Sequence, residues 1–205
     1  MHARTIRPLI LLSLVLLIGC GGRSPSFTDD FSDPASGWGA ASTETYVRGY
    51  DSGKYLIRLD VPDWFVWTTG GYAYEDVSIE ATVRSEGDVD NHYGLICRAN
   101  DKGFYYFAVS ADGYYAIFRR TEGDELIPLT GQAMLRSPAI RTGGTNNRLL
   151  AICEGTTLTF YVNGEQIAQI EDSTLTKGDI GMASGTAPRA NTTLIWFDEL
   201  TVSGP

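Results

Sequence analysis

Residues 157–170 read TLTFYVNGEQIAQI, in which two runs of strand-forming side chains flank Asn163-Gly164. An Asn-Gly pair tolerates the positive φ angles that both central residues of a type I′ turn require. The stretch therefore predicts a tight β-hairpin, with one strand over 157–162 and the other over 165–170.

The same period of two recurs along the chain on both sides of this hairpin. Residues 77–84 (VSIEATVR) alternate apolar and polar side chains, a pattern typical of a strand with one buried face. Further strands, separated by Gly, Asn and Asp, are predicted at 54–61, 64–69, 92–99, 103–110, 114–120, 148–154, 179–184 and 193–202. No stretch of about a dozen residues has the spacing and caps of an amphipathic helix. Residues 27–205 are therefore predicted to be one all-β domain, a largely antiparallel sandwich or jelly roll.

The first 19 residues have the pattern of an export signal. Arg4 and Arg7 precede an apolar run over 9–18, which is too short for a membrane-spanning helix of about 20 residues. The run ends in Leu-Ile-Gly-Cys at 17–20. This ending resembles the lipobox of bacterial lipoproteins, whose cysteine is acylated and becomes the mature N-terminus.

The lipobox resemblance implies a signal peptide over 1–19, lipidation of Cys20 and a short tether over 20–26. The alternative is an ordinary signal peptide in which Cys20 occurs by chance. Lipidation would place the domain outside the cytoplasm, held on a bacterial membrane at the cell surface or in the periplasm. Residues 1–19 contain two of the 16 Lys and Arg and none of the 25 Asp and Glu, which leaves a net charge of −11 on the remainder. This charge has the wrong sign for nucleic acid as a partner.

With Cys20 assigned to lipid, Cys97 and Cys153 are the two remaining cysteines. An even number in an oxidising compartment predicts a disulfide between them, the alternative being two buried free thiols. His92 is the only histidine after the signal peptide. The sequence therefore has too few histidines and free cysteines for a zinc site. It also has too few histidines to supply the base that a cysteine or serine nucleophile needs.

Seven short motifs together resemble the concanavalin A-like lectin/glucanase superfamily, in particular its laminin-G-like and 3-keto-disaccharide hydrolase-type domains. They are Asp29-Asp30-Phe31, Gly37-Trp38, YGLICR at 93–98, DGYY at 112–115, FYVNG at 160–164, GDIG at 178–181 and FDEL at 197–200. The resemblance covers residues 27–203 and implies a two-sheet antiparallel jelly roll whose first and last strands pair. Residues 29–31 would then lie beside 195–200, and glycans would bind on the concave face or the edge loops.

Catalysis by the laminarinase branch uses a Glu-x-Asp-x-x-Glu strand, which sets two carboxylates about 5 Å apart on one face. The motif is absent here: Glu80 is followed by Thr82, and the adjacent Asp198 and Glu199 are predicted to point to opposite faces of their strand. We therefore predict no catalytic residues.

Aromatic side chains are the candidates for glycan contact, because the C–H faces of sugars stack on rings while cationic groups bind hydroxyls. The predicted ligand-binding residues are Trp64, Trp67, Tyr72, Tyr93, Arg98, Tyr105, Tyr115 and Arg119. Within Phe104–Phe107 (FYYF), alternation predicts one face in the core and the other at least half exposed, without saying which.

Acidic residues over 86–91, and Asp29, Asp30 and Asp33, could supply the oxygen ligands of calcium. The alternative is that these loops hold no ion, with Asp30 and Asp198 hydrogen-bonding the paired chain ends. We predict neither a cofactor nor a metal site. The function predicted is non-catalytic glycan binding by a membrane-anchored lipoprotein. The alternatives are a protein-interaction module of an envelope assembly and a glycoside hydrolase of the 3-keto-disaccharide type.

Overall fold

The computed structural model describes residues 26–121, 123 and 125–204, which form 16 β-strands and no helix. The predicted signal peptide, the lipidation of Cys20 and most of the tether lie outside these residues. Among the described residues, no helix has the length and apolar character needed to cross a membrane. The all-β architecture predicted from alternation is confirmed.

The strands are numbered in chain order. They are β1 (Phe27–Asp29), β2 (Ala41–Ser42), β3 (Tyr46–Asp51), β4 (Lys54–Leu59), β5 (Phe65–Thr69), β6 (Val77–Gly87), β7 (Asn91–Asn100), β8 (Gly103–Val109), β9 (Tyr114–Thr121), β10 (Leu126–Pro128), β11 (Leu135–Arg136), β12 (Asn147–Glu154), β13 (Thr157–Val162), β14 (Glu165–Glu171), β15 (Asp179–Thr186) and β16 (Thr193–Ser203). One sheet has nine strands in the order β14-β13-β12-β6-β16-β4-β3-β2, with β1 also paired to β16. The other has seven strands in the order β10-β9-β8-β7-β15-β5, with β11 also paired to β9.

The hairpin predicted at Asn163-Gly164 is confirmed. Asn163 has a φ of 52° and Gly164 a φ of 85°, so both central residues have the left-handed backbone that the tight turn requires. Val162 pairs with Glu165 directly across the turn.

The chain ends also meet as predicted, because β1 pairs antiparallel with the end of β16 and sets Asp29 opposite Leu200. Asp29, rather than Asp30, fixes this end of the chain. Its Oδ2 accepts the indole N–H of Trp38 at 2.8 Å. Among the residues that the structure describes, Asp30 accepts hydrogen bonds from Ser32, two residues further on, within its own turn.

The core lies between the two sheets. In β6, Val77, Ile79, Ala81 and Val83 are buried while the intervening residues are not, as the alternation predicts. The disulfide between Cys97 and Cys153 is confirmed, and it joins β7 of the seven-stranded sheet to β12 of the nine-stranded sheet. Both cysteines are completely buried.

The prediction that one face of β8 is exposed is wrong. Tyr105 and Phe107 pack in the main core, whereas Phe104 and Tyr106 belong to a second apolar cluster on the outer face of the seven-stranded sheet. This outer cluster buries the second face because aromatic and aliphatic side chains of the same sheet and of the segment after β9 pack over it.

The predicted opposite orientation of Asp198 and Glu199 is also wrong. A β-bulge interrupts the pairing of β16 with β6 between Asp198 and Thr201, and Glu199 has a φ of 51°. The extra residue reverses the alternation, so that neither acid points into the core. Each has a partner: Asp198 binds Lys54, and Glu199 accepts the Thr82 hydroxyl at 2.8 Å.

Candidate functional site

The outer face of the seven-stranded sheet has a floor of small residues. One row across five strands runs in register from Trp67 through Ala183, Gly94 and Ala108 to Ala116. Small side chains at four successive positions leave space above the sheet. Larger side chains from neighbouring rows can therefore lie over them.

Aromatic rings fill that space. The Phe65 ring lies 5.7 Å from the Trp67 ring and 5.4 Å from the Tyr106 ring, measured between centroids. Gly185 stands between Phe65 and His92 in the sheet, and a Cβ there would lie 2.3 Å from His92 Nε2. A glycine is therefore needed at this position for Phe65 and His92 to stack, with ring centroids 5.6 Å apart.

His92 is part of this aromatic layer. Its Nδ1 lies 3.2 Å from the Tyr106 hydroxyl, and its ring also meets Phe118. Burial lowers the pKa of His92 to about 4, so the imidazole is neutral at pH 7. The surroundings of His92 are rings rather than a nucleophile and a carboxylate, which gives it a packing role.

Trp67 and Arg120 form the accessible part of the layer, and Phe104, which is only 3% exposed, packs beneath them. The guanidinium carbon of Arg120 lies 4.4 Å from the Trp67 ring centroid and 5.5 Å from that of Phe104. Phe104 and Arg120 are direct partners in the β8–β9 pairing, which holds them side by side. The Trp67 side chain keeps 37% of its surface exposed. Cation–π contact of this kind contributes about 0.5–1 kcal/mol at an exposed site.

These three side chains line a depression of ≈ 400 Å³ whose remaining lining is mostly polar. Asp101 is exposed in the β7–β8 turn. Asn100 stabilises that turn, since its amide donates to the Lys177 carbonyl oxygen at 2.7 Å. Asp179 accepts the backbone N–H of Gly71 and of Tyr72, each at 2.7 Å. The depression therefore combines an aromatic wall with two carboxylates, of Asp101 and Asp179, and a guanidinium.

The exposed candidates from the sequence fall in different places. Trp67 lies in the depression. Trp64 is 43% exposed, but it lies before β5, where its backbone N–H donates to Thr186 Oγ1 at 3.1 Å. Tyr72 packs against Phe27 of β1, with ring centroids 4.7 Å apart and the ring planes tilted by 33°.

Tyr93, Tyr105 and Arg98 are not available to a ligand, which corrects the prediction for these residues. Tyr93 and Tyr105 belong to the main core. Arg98 is 1% exposed, and its side chain donates to the Glu75 carbonyl at 2.8 Å and the Leu175 carbonyl at 3.0 Å. Its Nη2 also donates to Asp76 Oδ1 at 3.3 Å, so its donors are used within the protein.

Tyr115 and Arg119 are corrected in the same way, because they lie on the inner side of β9. Tyr115 packs against the main core. Arg119 binds Asp172 Oδ2 at 2.5 Å and the Thr174 hydroxyl at 2.7 Å. Burial raises the pKa of Asp172, but hydrogen bonds from Tyr105 and Thr174 outweigh this effect and hold that pKa below its usual value. Asp172 is therefore the anionic partner of Arg119.

Sequence reasoning missed Phe65, Phe104 and Arg120, although one signal could have found two of them. The turn at 111–113 sets the register of β8 against β9, which places Phe104 opposite Arg120 and Tyr105 opposite Arg119. The alternation then requires one of these pairs to face outward, and only the packing of the two sheets decides which.

The acidic loops considered for calcium are occupied by the chain itself. Asp29 and Asp33 accept backbone N–H groups two residues further on. Asp88 accepts both the backbone N–H and the amide of Asn191. Over 26–121, 123 and 125–204, no three His, Cys, Asp or Glu side chains are grouped so that they could hold a metal ion.

The seven-stranded sheet is poor in carboxylates. Asp179 is the single Asp or Glu within its seven strands, all of which the structure describes. Glycoside hydrolysis by the usual mechanisms needs two carboxyl groups flanking the scissile bond. The strands of this sheet do not provide such a pair.

The architecture can be compared with solved structures. It matches carbohydrate-binding module CBM66 from Bacillus subtilis with a TM-score of 0.55 at 17% identity, over 89% of this chain and 98% of that one. It also matches the catalytic domain of an endo-1,3-beta-glucanase (laminarinase) from Thermotoga petrophila, with a TM-score of 0.60 at 9% identity, over 87% and 98%. A Bacillus licheniformis beta-glucanase matches with a TM-score of 0.58 at 11% identity, over 88% and 98%. The chain has the concanavalin A-like jelly-roll fold.

This jelly roll is shared by binding modules and by glycanases, so the likeness identifies the fold alone. No protein-family model matches the sequence, and no curated protein matches it either. The function must therefore be argued from the residues of the site.

Proposed function

We propose that this jelly roll is a non-catalytic glycan-binding domain, carried by a lipoprotein that is anchored through Cys20 on the outer side of a bacterial membrane. The observation that carries the proposal is the depression formed by Trp67, Phe104 and Arg120. A ring in a shallow, polar-rimmed depression fits a sugar, whose C–H face stacks on the ring while its hydroxyls bind the rim.

The polar rim favours a glycan over a protein partner. Asp101 can accept hydrogen bonds from sugar hydroxyl groups, and Arg120 can donate hydrogen bonds to them. A protein-binding surface of this fold would instead present a flatter apolar patch. Of the two carboxylates in the depression, Asp179 already accepts two backbone N–H groups, which supports binding without cleavage. The net charge of −11 after residue 19 disfavours strongly anionic glycans by long-range repulsion. The expected ligand is therefore a neutral or cationic polysaccharide.

Affinity electrophoresis tests the proposal with gels that contain β-glucan, xylan, mannan or chitosan. Trp67→Ala should weaken retention about tenfold on the retained polysaccharide, since it removes the stacking surface. Trp64→Ala is the matched control, because Trp64 is similarly exposed but lies outside the Trp67–Phe104–Arg120 cluster. Its retention should equal that of the unsubstituted protein.

Three results would contradict the proposal. Absence of retention on every polysaccharide would favour a protein partner in the envelope. Release of reducing sugar from a retained polysaccharide would instead identify a glycoside hydrolase. Equal weakening by both substitutions would place the binding surface elsewhere.

A further inference from the structure

A second depression lies on the outer face of the nine-stranded sheet, centred on Trp196. Trp196 is in β16, in the interior of the sheet, and pairs with Leu56 of β4 on one side and Arg84 of β6 on the other. The depression has a volume of ≈ 370 Å³, close to that of the depression beside Trp67. A large aromatic side chain therefore lines a concave surface on the sheet opposite the first site.

The rim of this second depression is made of paired charges. Lys54 binds Asp198, and Arg84 binds Glu86 at 2.8 Å. All four side chains are partly exposed, so their remaining donors and acceptors can reach a ligand. The two cations balance the two carboxylates, which leaves the rim neutral on a strongly acidic domain.

Trp196 also has an unused donor. Its Nε1 is buried and has no hydrogen-bond acceptor among the described residues. A buried N–H without an acceptor costs about 1–3 kcal/mol, and an indole N–H that is enclosed in a protein usually has a partner. Trp38 illustrates the usual case in this chain, since its indole N–H donates to Asp29.

We infer that the Trp196 depression is a second saccharide-binding site, specific for neutral sugars; the inference rests on the proposed glycan-binding function. The half-buried indole of Trp196 supplies the stacking surface. Asp198 and Glu86 accept hydrogen bonds from sugar hydroxyl groups, while Lys54 and Arg84 donate hydrogen bonds to the hydroxyl oxygens. A neutral rim made of balanced ion pairs adds no net attraction for a charged ligand, so hydroxyl recognition sets the specificity.

The two sites act independently because they lie on the outer faces of opposite sheets, with the core between them. One polysaccharide molecule could bridge two copies of the domain through them, and avidity would then exceed the affinity of either site.

The experiment follows the indole N–H resonances of the mature chain, residues 20–205, made as Cys20→Ser and labelled with ¹⁵N. Trp196→Phe assigns the Trp196 resonance, and Trp67→Phe assigns that of Trp67. The protein is titrated separately with cellohexaose, laminarihexaose, xylohexaose and mannohexaose. We expect the Trp196 resonance to shift saturably with one of these, and to do so equally in the Trp67→Ala variant. Followed through the backbone amide resonances of β16, which both variants keep, Trp196→Phe should weaken this second binding event several-fold and Trp196→Ala about tenfold, because only the former keeps a ring.

The outcomes separate this inference from the proposed function. If saccharide shifts the Trp67 resonance while that of Trp196 stays in place, the second site is wrong and the first stands. If the Trp196 shift disappears in Trp67→Ala, the two residues report one event and independence is wrong. If no saccharide shifts either resonance, both the inference and the proposed function fail.

Discussion

At the scale of single residues, adjacent residues of one strand can have different roles, because successive side chains face opposite sides of a sheet. Arg119 points inward to Asp172, and Arg120 points outward to Trp67. The two arginines are adjacent in β9 and differ only in the face of the sheet from which each side chain projects. That difference makes Arg119 part of a structural ion pair and Arg120 a candidate ligand contact.

Exchanging each arginine for glutamine tests this division of roles. Arg120→Gln should weaken polysaccharide retention several-fold, because it removes the guanidinium from the Trp67 ring. Arg119→Gln should leave retention unchanged and lower the free energy of unfolding by about 1–2 kcal/mol, because Asp172 loses its cation in a partly buried pair. Urea denaturation and affinity electrophoresis of both variants measure the two effects. A loss of retention in Arg119→Gln with a stable fold would contradict the assignment.

His92 makes stability depend on pH in a window set by its own pKa. Its pKa is about 4 in the folded protein against 6.5 for an unperturbed histidine, so the unfolded chain binds more protons between these two pH values. Stability should therefore fall as the pH is lowered from 6.5 to 4, by about 3 kcal/mol in total.

His92→Phe provides the control, because a phenyl ring suits a layer made by Phe65, Tyr106 and Phe118 but does not titrate. Urea denaturation at a series of pH values should show a slope between pH 6.5 and 5 that the variant lacks. His92 is the only histidine among the described residues, so a slope that persists in the variant would show that another group is responsible.

At the scale of elements, the disulfide is the covalent link between the two sheets. Cys97 in β7 and Cys153 in β12 are 56 residues apart in sequence, and both are completely buried. The bond closes a loop that includes β8 to β11, which contribute four of the seven strands of the candidate binding sheet. The position of Phe104 and Arg120 relative to the core therefore depends on this link.

Replacing both cysteines by alanine should lower the free energy of unfolding by about 4 kcal/mol on the chain-entropy model. Urea denaturation of the double variant beside the oxidised protein measures the difference. Alkylation of the unreduced, denatured protein followed by mass measurement is the independent check on the bond. Two added alkyl groups on Cys97 and Cys153 would refute it.

At the scale of the whole molecule, the chain enters the sandwich beside the candidate site. Phe27, the first strand residue, stacks on Tyr72, whose backbone N–H is bound by Asp179 at the depression. A tether over 21–26 spans about 20 Å when extended. If Cys20 is acylated as we propose, the Trp67 depression is at the membrane-proximal end of the domain, which favours a glycan of the envelope itself.

The length of the tether tests the anchoring and this orientation together. Inserting a flexible Gly-Ser segment of about 20 residues after Gly22 should increase the retention of a large polysaccharide by proteoliposomes carrying the anchored protein, because the depression moves away from the bilayer. The same insertion in soluble Cys20→Ser protein should have no effect. Equal retention by the two anchored forms would place the site away from the membrane, and an unsubstituted protein found in the soluble fraction of cells would refute anchoring.

The sequence by itself determined the class of fold and most of the strands. Alternation at 77–84 and the Asn163-Gly164 turn follow from local rules, because side-chain parity and turn chemistry are properties of neighbouring residues. The pairing of Asp29 with the end of β16 was instead implied by the superfamily resemblance. Cys97 and Cys153 were paired correctly from the even number left after Cys20 was assigned to lipid, together with the oxidising compartment that an export signal implies.

Only the tertiary structure decided which face of each strand meets the other sheet. Phe104–Phe107 (FYYF) alternates in the same way whichever face of β8 meets the other sheet, so the sequence does not fix its orientation. Both faces are buried, because Phe65 of β5 packs over the outer face across the two intervening strands. The choice of Arg120 over Arg119 follows from that packing, as does the removal of Tyr93, Arg98 and Tyr105 from the candidate site. The β-bulge at Glu199 directs both Asp198 and Glu199 away from the core, and no feature of the sequence indicates this bulge. Contacts between residues distant in sequence set these outcomes, and no local pattern encodes them.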